Sequence, residues 1–280
     1  MIKKITVTAL SVLIILVLSG FPAAQNKTDV RKKSVDQLVA DFVSNDWIGR
    51  VVPAKEELES RGSESIPQII ALLDQEKEAP LKNTADLIYP GAKEFYGHGW
   101  IVDYDVDRIS VRAGWFLESL TFQDFGFQSR LIDHDDLLQA VIKSRGNATI
   151  KDVMKPEKKE ELKKQARAAA VKKAKEWWEN SSSQWKRFDA IVEGLKSDDA
   201  DLQYRIFQWL RNGDTKCEGL SLESFDKLIL PEVERLAKSE NENIRKEAEL
   251  LLESNSKEKW WYRNKLKRDY PDKYATMELK

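Results

Sequence analysis

The chain reads as all-α: an α-solenoid of antiparallel helix pairs, interrupted by an irregular aromatic insert and by one long basic helix. Three observations predict this. Two stretches about 42 residues apart are nearly alike, Lys196-Ser-Asp-Asp-Ala-Asp-Leu202-Gln-Tyr-Arg-Ile206-Phe-Gln-Trp-Leu210 and Lys238-Ser-Glu-Asn-Glu-Asn-Ile244-Arg-Lys-Glu-Ala248-Glu-Leu-Leu-Leu252. Each is a polar, acidic turn followed by an amphipathic helix, and a period in the forties is that of stacked helix pairs. Elsewhere apolar residues recur at helical spacing, and no segment alternates apolar and polar as a half-buried strand does.

The first residues have the pattern of an export signal. Met1-Ile2-Lys3-Lys4 is a short basic lead, and Ile5 to Leu18 is an uncharged apolar run of about 14 residues, short of the about 20 that span a bilayer. Small residues follow, with a cleavage site after Ala24. Residues 1–24 are read as the signal and 25–33 as a flexible lead. The expected destination is the periplasm or the outside, or the membrane if the signal is retained.

Ser34-Val-Asp-Gln37 is a capping box. Val35, Leu38, Val39, Phe42 and Val43 after it share one helical face. Pro53 opens a helix that Gly62 closes, and Ile66, Ile69, Ile70 and Leu73 mark the next, so 53–75 is expected to be a helical hairpin. Residues 76–106 break the pattern with Asn83, Pro90, Gly91, Gly97 and Gly99, and are rich in aromatics. Together 34–128 form an N-terminal helical region with 76–106 as its insert. Asp107 heads a helix through about Leu120. A short helix is expected over 133–144, and a long alanine- and lysine-rich one from Pro156 to about Asn180, with Leu162, Ala166, Ala169, Ala170, Ala174, Trp177 and Trp178 as its apolar stripe. Residues 129–183 form this irregular middle part. Residues 184–280 are read as helices over 184–196, 200–211, 221–238 and 241–253, then a basic, aromatic tail with a last helix over 256–268.

Composition excludes some functions. There are 46 basic and 47 acidic residues, with a net charge of −1. That balance gives no general pull toward nucleic acid. The single cysteine, Cys217, has no internal disulfide partner, so an apolar core must hold an exported chain of this size. No Gly-x-Ser-x-Gly, phosphate loop or dinucleotide fingerprint is present, and no cofactor is expected.

Several segments resemble HEAT repeats. These are Ala54-x3-Leu58-x3-Gly62-x3-Ile66-Pro67-x2-Ile70-x2-Leu73, with the turn-and-helix starts Asp107-x3-Val111-Arg112-x2-Trp115 and Asn241-x2-Ile244-Arg245-x2-Ala248. Leu117 to Phe127, with Lys175-Glu-Trp177-Trp178-Glu-Asn180, is similar to the end of some exported bacterial HEAT-like proteins. The resemblance implies a scaffold or adaptor that binds another protein, and it supplies no functional residues.

Three candidate sites stand beside that reading. Tyr96, Trp100 and Tyr104 are the expected contacts to a protein partner, because aromatics dominate interface energetics. His98, Asp103 and Asp105 are candidate ligands of a hard cation, though the calcium-loop template fails at Arg108 and Gly114. With His134 they would make a metal-dependent hydrolase. From Lys155 to Lys175 nine basic residues face three glutamates. Lys158, Lys159, Lys163 and Lys164, with Lys259 and Lys265 of the aromatic tail, are candidates for contact with an anionic membrane surface. The bland alternative is a solvated face whose lysine stems cover apolar surface.

Overall fold

The computed structural model of the chain describes residues 30–85, 87, 89–97, 100–132, 139, 142–145, 156–182, 184–212 and 217–256. The chain divides into two compact units, residues 1–33 and 34–280. In the first, Val30–Lys32 form a single 3-10 turn. The second is mostly helical among its described residues.

Helix α1 (Val35–Phe42) opens on the expected capping box. The Ser34 hydroxyl accepts the Gln37 N–H, and the Gln37 side chain accepts the Ser34 N–H at 2.9 Å. A five-residue π turn, Trp47–Val51, leads straight into α2 (Val52–Arg61). Gly62 ends α2 at φ 57°. A 3-10 turn, Gly62–Ser65, then enters α3 (Ile66–Leu72). Helix α4 spans Ile109–Thr121, α5 Pro156–Ser181, α6 Arg187–Lys196 and α7 Ala200–Asn212. A one-turn piece α8 (Leu222–Ser224), a second π turn (Phe225–Ile229) and α9 (Leu230–Leu236) replace the single helix expected over 221–238, and α10 spans Glu242–Ser256.

Both π turns have the same cause. Each stops two residues before a proline, Pro53 and Pro231. Proline has no N–H for the carbonyl four residues back, and its ring collides with that carbonyl. Widening the preceding turn by one residue moves the carbonyl away, and the N–H groups of Val52 and Leu230 bond five residues back, to Trp47 and Phe225.

Among the described residues the chain is mostly helical, as expected, with three short strands added. β1 (Glu94–Gly97) and β2 (Trp100–Asp103) pair antiparallel within the insert, with Glu94 opposite Asp103. β3 (Arg130–Ile132) adds to β2 to complete a sheet of order β1-β2-β3. Phe95, Tyr96, Trp100, Ile101 and Val102 are strand-forming types. Each run is too short for a period-two pattern to show, and β3 is supplied by residues remote in sequence.

Helix α1 packs on α2 and α3, and α3 on α4. Helix α5 lies across α3, α4 and β3. In the C-terminal half α6 packs on α7 and α9, α7 on α10 and α9 on α10, while α4 meets α6. Ile191, Leu195, Ile206, Leu210, Ile229, Val233, Ile244, Ala248 and Leu251 form the core of that half.

The 42-residue repeat extends to individual hydrogen bonds. The Ser197 hydroxyl accepts the Asp199 N–H, and the Asp199 carboxylate accepts the Leu202 N–H at 3.0 Å. Forty-two residues on, Ser239 accepts from Asn241, and the Asn241 side chain accepts the Ile244 N–H at 3.3 Å. Gln203 and Arg245 both donate to the carbonyl six residues back, of Ser197 and Ser239.

Arg112 of α4 makes the same reach to the Val106 carbonyl, at 2.9 Å. Its remaining donors meet the carbonyls of Phe42, Ser44 and Ala79, each at 2.9 Å. It thus satisfies the open carbonyl end of α1 and ties the insert to α4. Burial pulls its pKa down to about 10, against the pull of the nearby Asp107 carboxylate.

Two residues further along α4, a β-carbon on Gly114 would run into the Phe127 ring. Phe127 is buried and its loop is tethered by backbone bonds to Glu118. Gly114→Ala should therefore destabilise the protein by about 1–3 kcal/mol through overpacking, and the companion change Phe127→Leu should recover part of the loss in thermal unfolding.

Candidate functional site

The inward face of α5 is where two of the expected site classes meet. Lys159, Lys163 and Arg167 are four residues apart and lie on one side of the helix. Lys159 pairs with Glu94 of β1 at 3.2 Å, and Lys163 with Glu94 at 3.3 Å and with Glu160 at 3.2 Å. Lys163 also donates to the Lys93 carbonyl and is 2% exposed. Arg167 pairs with Asp103 of β2 at 2.8 Å. Farther along, Lys175 pairs with Asp74 at 2.7 Å.

The cations read as a surface and the carboxylate read as a metal ligand thus neutralise one another inside the fold. Asp103 also accepts the Asp105 N–H, and Asp105 lies 3.5 Å from the Arg108 guanidinium. Burial pushes the Asp105 carboxyl above its ordinary value, opposed by Lys93 and Arg108 and reinforced by Asp103 and Glu78. Among the described residues no group of three or more His, Cys, Asp or Glu is placed to hold a metal. His98, His134, Lys259 and Lys265 lie outside the described residues. Lys158 and Lys164 are exposed on the outer face of α5, where Lys172 and Lys173 are mixed with Glu157, Glu160, Glu161, Glu176 and Glu179. That face is nearly balanced in charge.

The backbones of Tyr96 and Trp100 belong to β1 and β2, and their side chains lie outside the described set. Tyr104 stands in an aromatic cluster. Its ring meets Trp115 edge-on at 5.2 Å and Tyr89 at 5.9 Å, and Tyr89 packs on Phe95 at 5.0 Å. The Trp115 indole donates to the Asp103 carbonyl at 3.2 Å, joining the cluster to the acidic strand. Burial, then the neighbouring Tyr89, raises the Tyr104 pKa. Tyr89 is the outer ring of the cluster, 43% exposed.

Sequence reasoning did not single out Glu118 or Arg187. The Glu118 carboxylate of α4 accepts four successive N–H groups, from Phe125, Gly126 and Phe127 at 2.8–2.9 Å and from Gln128 at 3.1 Å. Burial raises its pKa, and the bonds from Phe127, Gly126 and Phe125 oppose that rise. The side chain closes the loop that feeds β3.

Arg187, at the start of α6, is fully buried. It pairs with Glu59 of α2 at 2.6 Å and reaches the Ser119 carbonyl of α4 at 3.5 Å. Its guanidinium lies over the rings of Phe122 and Trp209, 5.1 and 4.9 Å from their centroids, and the two rings meet each other edge-on. The Trp209 indole donates to the same Glu59 oxygen at 2.8 Å. A basic residue at the mouth of an amphipathic helix reads as solvated, so no sequence signal marks it. Cys217 is nearby. Burial pushes its thiol up to about 12; Arg187 opposes this, while Glu59, Glu218 and Asp189 add to it. A thiol that stays protonated is a poor nucleophile.

Comparison with known proteins found no matching family model, no matching curated protein and no matching solved structure.

Glu59→Ala leaves Arg187 a buried charge without its counter-ion, and should cost about 3–5 kcal/mol in urea unfolding. Replacing the pair together, Arg187→Met with Glu59→Met, should cost less than Glu59→Ala alone. Native Cys217 should react with a thiol reagent at pH 8 at least about a thousandfold more slowly than in the unfolded chain; comparable rates would mean that the site opens readily.

Proposed function

We propose that this chain is an exported, non-enzymatic helical-repeat adaptor of the HEAT-like α-solenoid kind, and that it binds another protein. The observation that carries the reading is the 42-residue recurrence of one turn-and-helix unit, down to its cap and its side-chain bond to the carbonyl six residues back. Two such units, α6–α7 and α9–α10, pack inner on inner and outer on outer helix, as stacked repeats do. The contact surface we assign is the aromatic insert, with Tyr96, Trp100 and Tyr104 and the exposed ring of Tyr89. An amphipathic ring at a surface suits a protein interface.

The membrane reading rests on Lys158 and Lys164 with Lys259 and Lys265, since Lys159 and Lys163 are paired inside the fold. Salt-dependent sedimentation with anionic vesicles, absent with neutral ones, would favour it. A metal-dependent hydrolase would require Asp103 and Asp105 to leave Arg167 and Arg108 for the ion.

Crosslinking capture with tagged residues 25–280, run beside the Tyr89→Ala variant, tests the adaptor. One stoichiometric protein held by the parent chain, and held at least about tenfold less by a folded Tyr89→Ala variant, is expected for a contact aromatic. Capture indifferent to that change removes the assigned surface, and an absence of any specific protein removes the adaptor.

A further inference from the structure

Helix α5 is attached at its two ends by different physics. Over Pro156–Lys175 the attachment is ionic: Lys159 and Lys163 to Glu94, Arg167 to Asp103, and Lys175 to Asp74. These contacts extend along 16 residues, about 24 Å of helix. Ala170 and Ala174 are its only buried apolar side chains among the described residues, and Ala170 sits close to Gly126. At the other end the attachment is aromatic: Trp177 packs on Phe125 at 5.5 Å and on Trp185 at 5.8 Å.

Buried ion pairs gain little over their solvated components, because desolvation offsets their attraction. Pairs near the surface, such as Lys175 with Asp74, are screened by salt. Aromatic burial is not. The helix also has local support of its own, from alanine content and from spaced pairs such as Lys172 with Glu176.

We propose that α5 is a hinged strap: its N-terminal three-quarters peels from the sheet as ionic strength rises, while the turn at Trp177 stays in place and the rest of the fold remains intact. Release bares the carboxylates of Glu94 and Asp103, which the strap covers. This device does not depend on the adaptor reading.

Hydrogen exchange of the full chain, resolved by segment, tests it. Going from about 0.05 M to about 0.5 M NaCl shortens the screening length from about 14 Å to about 4 Å. Amides over 160–172 should then exchange about tenfold faster, with those of α4, α6 and α7 unchanged, as a local opening requires. Arg167→Gln should give the fast exchange already at low salt. Joining Glu94→Cys to Lys159→Cys with a bismaleimide should abolish the salt effect. If amides 160–172 exchange in step with α4 and α6 at both salts, the strap does not exist and α5 leaves only on global unfolding. If the tether leaves the salt effect unchanged, peeling from the sheet is not its cause, and the proposal fails equally.

Discussion

A guanidinium with no route to water organises the helices of this protein. Arg187 of α6 has its charge met by Glu59 of α2, the rings of Phe122 and Trp209 beside its guanidinium, and a carbonyl of α4 within reach. An unpaired charge at such depth costs several kcal/mol, so α2, α4, α6 and α7 must all be in place for any of them to be stable there. One charge thereby ties helices of the N-terminal and C-terminal halves together. The same demand explains Phe122, a non-glycine residue at φ 59°. Left-handed backbone is unfavourable for such a side chain, and here it sets the ring beside the guanidinium and edge-on to Trp209.

The interior repeatedly uses charged side chains to satisfy backbone groups. Arg112 closes four carbonyls that helix ends and loops leave open, and Glu118 closes four N–H groups of a single loop. In the repeated turns the need is smaller, and Gln203 meets it as well as Arg245 does. A donor of the right length suffices there. Arg112 must be an arginine because its further donors reach α1 and the insert. Fixing these loops orients the sheet, and the sheet presents Glu94 and Asp103 to α5.

The long basic helix shows how a charge count misleads. Nine basic residues against three acids over 155–175 read as an outward-facing surface. The structure turns Lys159, Lys163 and Arg167 inward, onto acids from a strand pair that is itself hard to see in the sequence. Residues 159, 163 and 167 share one helical face because they are four apart. That the face is the buried one depends on carboxylates more than 60 residues away.

Sequence alone determined what local chemistry decides. Ser34 and Gln37 cap a helix, Gly62 ends one, and the turns at Asp199 and Asn241 repeat because cap residues of the same kind recur at the same spacing. Each of these follows from interactions within a few residues. Only the tertiary structure decided that β3 joins β2, that Asp103 pairs with Arg167, that Tyr104 packs edge-on against Tyr89 and Trp115, and that Arg187 is buried. In these cases the partner is distant along the chain, and whether a charge or a ring faces water or protein is set by where the chain brings that partner.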